Sequence, residues 1–163
     1  MQRTSLLSLI VLIACGPAEG AQRTVEPPAE VRTGKARAAD KPYGREGDPR
    51  RAKRVIRIDM SDTMQYFPDQ IKIKRGDTVR FVVRNSGELP HEMVLGTMEE
   101  LQKYAAATKR KPADHQGEPH ATRVGPGGTG RIVWQFTRAG EFYFGCLVPG
   151  HFDAGMIGTI VVR

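Results

Sequence analysis

Near its C-terminal end the 163-residue chain runs C-L-V-P-G-H-F-D-A-G-M from Cys146 to Met156, directly before the apolar run 157–162. Three unlike donors, a thiol, an imidazole and a thioether, thus stand at C-x4-H-x4-M spacing on one short loop. Taken singly each has an ordinary explanation. A late-strand Cys is usually a small buried hydrophobe, a Met before an apolar strand is usually core, and a His beside a glycine can cap a turn. Together they are the donor types of a mononuclear electron-transfer copper site, with soft sulfur for Cu(I), imidazole tolerated by both oxidation states, and a weak axial thioether. Such a site needs a second imidazole, and the remaining histidines are His91, His115 and His120. His91 is favoured, because Pro90 precedes it after a strand-like run and turn at 80–87. His115 and His120 lie in a Pro- and Gly-rich stretch, where solvated side chains are expected and no supporting shell would fix a ligand.

The segments DQIKIKRGDTVRFVVRNSGELPHEMVLG (69–96) and GEFYFGCLVPGHFDAGMIGTIVV (140–162) resemble the cupredoxins, the small blue-copper proteins, over roughly residues 55–163. Within that family the H-E-x-V-L-G and C-L-x-P-G-H-F-x-A-G-M segments are most similar to bacterial periplasmic members associated with copper tolerance. The resemblance implies an all-β, Greek-key β-sandwich with one copper ion at its end. It assigns Cys146 as thiolate ligand, His91 and His151 as equatorial imidazoles and Met156 as axial thioether. It also implies that the His151 ring edge reaches the surface within a small apolar patch suited to a transient redox partner. The expected function is electron transfer by a monomer in the periplasm, with a role in copper tolerance. The alternative is a copper-sequestering protein without a carrier role. Catalysis of the nitrite-reductase or multicopper-oxidase type would need further copper centres, which four histidines cannot supply, and a dinuclear centre would need a second Cys in the loop.

The rest of the chain divides by composition. Residues 1–14 carry one basic residue and a short apolar run, too short to span a bilayer, which predicts a secretory leader. Leu12-Ile13-Ala14-Cys15 resembles the lipobox of bacterial lipoproteins, which predicts Cys15 as the lipidated first residue of the mature chain, anchored in the outer membrane. Residues 15–54 hold ten Lys/Arg against six Asp/Glu, several prolines and few large apolar residues, and predict a disordered tether. Residues 55–163 carry fourteen Lys/Arg against twelve Asp/Glu. That near balance, without a basic face or groove-reading motif, argues against nucleic acid as a partner.

Alternation of apolar and polar residues predicts strands at 55–60, 70–74, 131–136 and 141–146, and apolar runs bounded by turn residues predict strands at 78–84, 92–96 and 157–162. Thr97 and Glu100 form the pattern of a capping box, predicting a helix to about Ala107. Residues 112–130 are predicted to be a long loop. Met60, Met64 and Met93 predict core filling, since no periodic Met/His cluster accompanies them.

Overall fold

The computed structural model describes residues 40–108 and 117–163. The leader, Cys15, the first part of the expected tether and His115 lie outside the described residues. Ten strands form two five-stranded sheets. The first sheet contains β1 (Arg45–Glu46), β2 (Arg54–Ser61), β3 (Gln65–Phe67), β5 (Thr78–Asn85) and β8 (Thr129–Gln135), in the order β1-β8-β5-β2-β3. The second contains β4 (Gln70–Ile73), β6 (His91–Gly96), β7 (Ala121–Val124), β9 (Gly140–Gly145) and β10 (Ile157–Val162), in the order β4-β10-β9-β6-β7. The period-2 pattern explains the packing. Ile56, Ile58 and Met60 of β2, Phe81 and Val83 of β5, and Ile132 and Trp134 of β8 point inward, where they meet Phe142 and Phe144 of β9 and Ile160 and Val162 of β10 in one buried cluster. Met60 and Met93 are fully buried in that cluster, as expected of core fillers.

The single α-helix among the described residues, α1 (Met98–Thr108), opens as predicted. The Thr97 hydroxyl accepts from the Glu100 N–H, and the Glu100 carboxylate accepts from the Thr97 N–H, satisfying two orphan donors. Its buried side covers Val94 and Leu147 through Leu101 and Ala105.

Three expectations are corrected. The chain is packed into the domain well before Val55. Tyr43 is 1% exposed and stacks against Trp134 and Phe142, its hydroxyl donates to the Leu95 carbonyl, and β1 pairs with the end of β8. Tyr43 and hydrogen bonds from Arg45 to Gln135 and from the Gly47 N–H to the Val133 carbonyl hold this polar segment on the sheet edge. The expected loop at 112–130 contains β7, which pairs antiparallel with β6 and places Val124 opposite His91. His120 is not solvated: it is 3% exposed, with its ring beside Tyr43 and Trp134.

Candidate metal centre

The strand order brings two connections to the same end of the sandwich. Residues 86–90 join β5 to β6, and residues 146–156 join β9 to β10. The second connection closes on itself. Cys146 N–H donates to the Met156 carbonyl, Met156 N–H to the His151 carbonyl, and His151 N–H to the Val148 carbonyl. Gly150 and Gly155 both hold φ of +88°, a conformation that costs an L side chain about 1–2 kcal/mol. These turns fold the C-x4-H-x4-M segment into a compact cap. Cys146 and Met156 are fully buried within the core cluster, and His151 is partly exposed.

The first connection delivers His91, which is fully buried at the start of β6. Its Nδ1 lies 3.2 Å from His151 Nδ1 and 3.9 Å from Cys146 Sγ, and Sγ lies 3.4 Å from His151 Nδ1. Three donors in a plane around an ion, with bonds of roughly 2.0 to 2.3 Å, are separated by about 3.6 Å from one another. The observed edges bracket that value, so the two imidazoles and the sulfur fit a single first-row ion. Of the residues expected to be ligands, His91, Cys146 and His151 converge here. Met156 is tied by its backbone to both Cys146 and His151. His120 stands apart in the Tyr43–Trp134 pocket.

Several groups around the centre carry no signal in the sequence. The Glu92 N–H donates to Cys146 Sγ at 3.3 Å. The Glu92 side chain, 2% exposed, pairs with Arg123 at 3.2 Å, and its carbonyl accepts from the Tyr66 hydroxyl at 2.5 Å. Asn85, fully buried, donates to the carbonyls of Leu89 and Val124 and accepts from the Gly87 N–H, which staples the 86–90 connection to β7. Asp62, in the turn after β2, accepts from His91 Nε2 at 2.9 Å and from the N–H groups of Glu88 and Leu89.

Burial pushes the Cys146 thiol up to about 11, opposed by the N–H groups of Glu92 and Val148. Burial also lowers His151, with His91 adding to the effect, so that its ring favours the neutral, ligating form. The N–H of Glu88 and then the His91 ring hold the Asp62 carboxyl below its usual range. A soft ion that takes a thiolate must displace the thiol proton, so binding is coupled to proton release.

The family model of copper-binding proteins, plastocyanin/azurin family, matches residues 52–163. The copper-resistant cuproprotein CopI of Rubrivivax gelatinosus is 52% identical over 128 residues, 78% of this chain and 78% of that protein. Among solved structures, dithionite-reduced auracyanin from the photosynthetic bacterium Roseiflexus castenholzii is 25% identical, covering 69% of this chain and 98% of that one with a TM-score of 0.56. Auracyanin B, at 17% identity, covers 76% of this chain and 96% of its own with a TM-score of 0.61, which supports the two-sheet fold alone. On the matched family model and the similarity to CopI, this chain belongs to the plastocyanin/azurin family of copper-binding proteins, the cupredoxins.

Proposed function

We propose that the protein binds one copper ion through His91, Cys146, His151 and Met156 and passes single electrons in the periplasm, in the service of copper resistance. The convergence of His91 Nδ1, Cys146 Sγ and His151 Nδ1 within 3.9 Å of one another carries this reading. Copper held there supplies a one-electron couple. The chain's own residues do the rest. Cys146 offers the soft donor in a site closed to water, and the Glu92 N–H fixes the sulfur. His91 holds the inner side, fully buried. Of the four groups only His151 reaches solvent, between Pro149 and Phe152, which makes its ring the entry and exit for electrons to a docked redox partner. We read the protein as a carrier and not as an enzyme, because two imidazoles and a thiol converging at one point are the donor set of a one-electron copper couple.

The similarity to a protein named for copper resistance favours a second reading, in which the site sequesters copper without a carrier role. The two separate in the host. A strain lacking the protein is made copper-sensitive and is then complemented with wild type and with Met156→Leu. The carrier reading predicts that rescue follows the reduction potential, and equal rescue by both at clearly different potentials supports sequestration.

The leader at 1–14 and the Leu12-Ile13-Ala14-Cys15 segment support export and lipid anchoring at Cys15, outside the described residues. A diacyl or triacyl Cys15 in protein from the native host is the expected mass-spectrometric result, and an unmodified chain beginning at Ala21 is the contrary one.

A further inference from the structure

Asp62 reaches the metal centre from a turn 29 residues upstream of His91 and outside both ligand segments. Its carboxylate is held on three sides. Oδ1 accepts from His91 Nε2 at 2.9 Å and from the Leu89 N–H at 3.2 Å, and Oδ2 accepts from the Glu88 N–H at 2.7 Å. The neighbouring backbone is shaped to let it in. A Cβ on Gly87 would lie 2.0 Å from Asp62 Oδ1, so only glycine at that position allows the carboxylate to stay where it is. The Gly87 N–H is itself held by Asn85 Oδ1 at 2.9 Å, so the whole 86–90 connection is clamped between Asn85 on one side and Asp62 on the other.

An ionised carboxylate can only accept hydrogen bonds. The His91 ring has no exposed surface, so Nε2 is satisfied by Asp62 and not by bulk water. A proton on Nε2 leaves the Nδ1 lone pair free, and Nδ1 is the atom that faces Cys146 and His151. We propose that Asp62 is a positioning residue of the copper centre: it fixes His91 in its Nε2–H tautomer and orientation, and its negative charge favours the oxidised metal. This rests on the reading of His91 as a copper ligand. Partners of this kind raise ligand basicity and fix ring orientation, and their loss typically weakens metal binding about 10- to 100-fold.

The test uses the full chain. Histidine 15N spectra of the metal-free protein should show His91 as a single Nε2–H tautomer, and Asp62→Ala should convert it to a mixture or to the Nδ1–H form. Copper affinity of Asp62→Ala should fall by about 10- to 100-fold. Asp62→Asn, which keeps the volume of the side chain and removes its charge, should raise the reduction potential measured by voltammetry. A role confined to stapling the 86–90 connection would lower thermal stability and leave tautomer and potential alone. The inference is overturned if Asp62→Ala keeps the wild-type tautomer or if Asp62→Asn keeps the wild-type potential. If His91→Ala retains the wild-type copper spectrum, the ligand reading itself fails and takes the inference with it. Loss of copper in His91→Ala with an unchanged tautomer in Asp62→Ala overturns the inference alone.

Discussion

The two halves of the metal centre are built in opposite ways. The loop at 146–156 carries Cys146, His151 and Met156 within eleven consecutive residues and closes through its own backbone hydrogen bonds. The half that presents His91 brings one ligand, and its support comes from Asp62 in the β2–β3 turn, Asn85 at the end of β5 and Val124 of β7. The first half is contiguous in sequence, although Cys146 and Met156 pack into the core cluster and the Glu92 N–H donates to Cys146 Sγ. The second exists only when both sheets have formed, so its geometry is a property of the whole domain. Stability and metal affinity should therefore be coupled more tightly through His91 than through the loop.

A substitution outside both halves sets the baseline and should have the largest effect on folding. Tyr43→Ala removes a fully enclosed aromatic and its hydroxyl bond to Leu95, which should cost about 3–5 kcal/mol in denaturant unfolding of the metal-free protein. Once folded and loaded with copper, it should keep the wild-type visible spectrum, because Tyr43 touches neither half.

Asn85→Ala attacks the His91 half. It strands the carbonyls of Leu89 and Val124 and the N–H of Gly87, and should cost about 2–3 kcal/mol. Unlike Tyr43→Ala it should also speed copper dissociation, read by transfer to a chelator, because the connection leading into His91 loosens. Equal dissociation rates in Asn85→Ala and Tyr43→Ala would erase the distinction between the two halves.

Met156→Leu probes the local half and should be the mildest for folding, since a near-isosteric apolar residue replaces a buried one at a cost of less than about 1.5 kcal/mol. Copper should remain bound by His91, Cys146 and His151. The reduction potential should rise, because the loss of a thioether that would hold the ion as a weak fourth donor would disfavour Cu(II) relative to Cu(I). Voltammetry that shows no change would remove Met156 from the site.

The same contrast explains how much was legible beforehand. Cys146, His151 and Met156 announce themselves because their chemistry is contiguous, and His91 because Pro90 and a strand-like run precede it. Most of the alternating strands are legible because one face is buried, as Phe142, Phe144 and Cys146 show, whereas β6 is buried along its whole length and does not alternate. Asp62, Asn85 and Arg123 escape because hydrogen bonds and ion pairs spanning 29 to 39 residues leave no local period. β7 escapes because its four residues sit between Pro119 and the glycines at 125, 127 and 128, and the turn chemistry dominates so short a strand. Tyr43 and His120 escape together. Each is a single ring in a polar stretch, and their burial follows from packing against Trp134 and against each other in the folded domain, not from their neighbours in sequence.

Closure of the two halves on one copper with a thiolate bond is read by titrating the metal-free protein with Cu(II) and recording visible absorption, for wild type and for Cys146→Ser. Wild type should develop an intense thiolate-to-copper band that saturates at one equivalent, and Cys146→Ser should show none. A band that persists without Cys146, or a wild-type titration that saturates at one equivalent with no such band, would mean that Cys146 is not bonded to the copper.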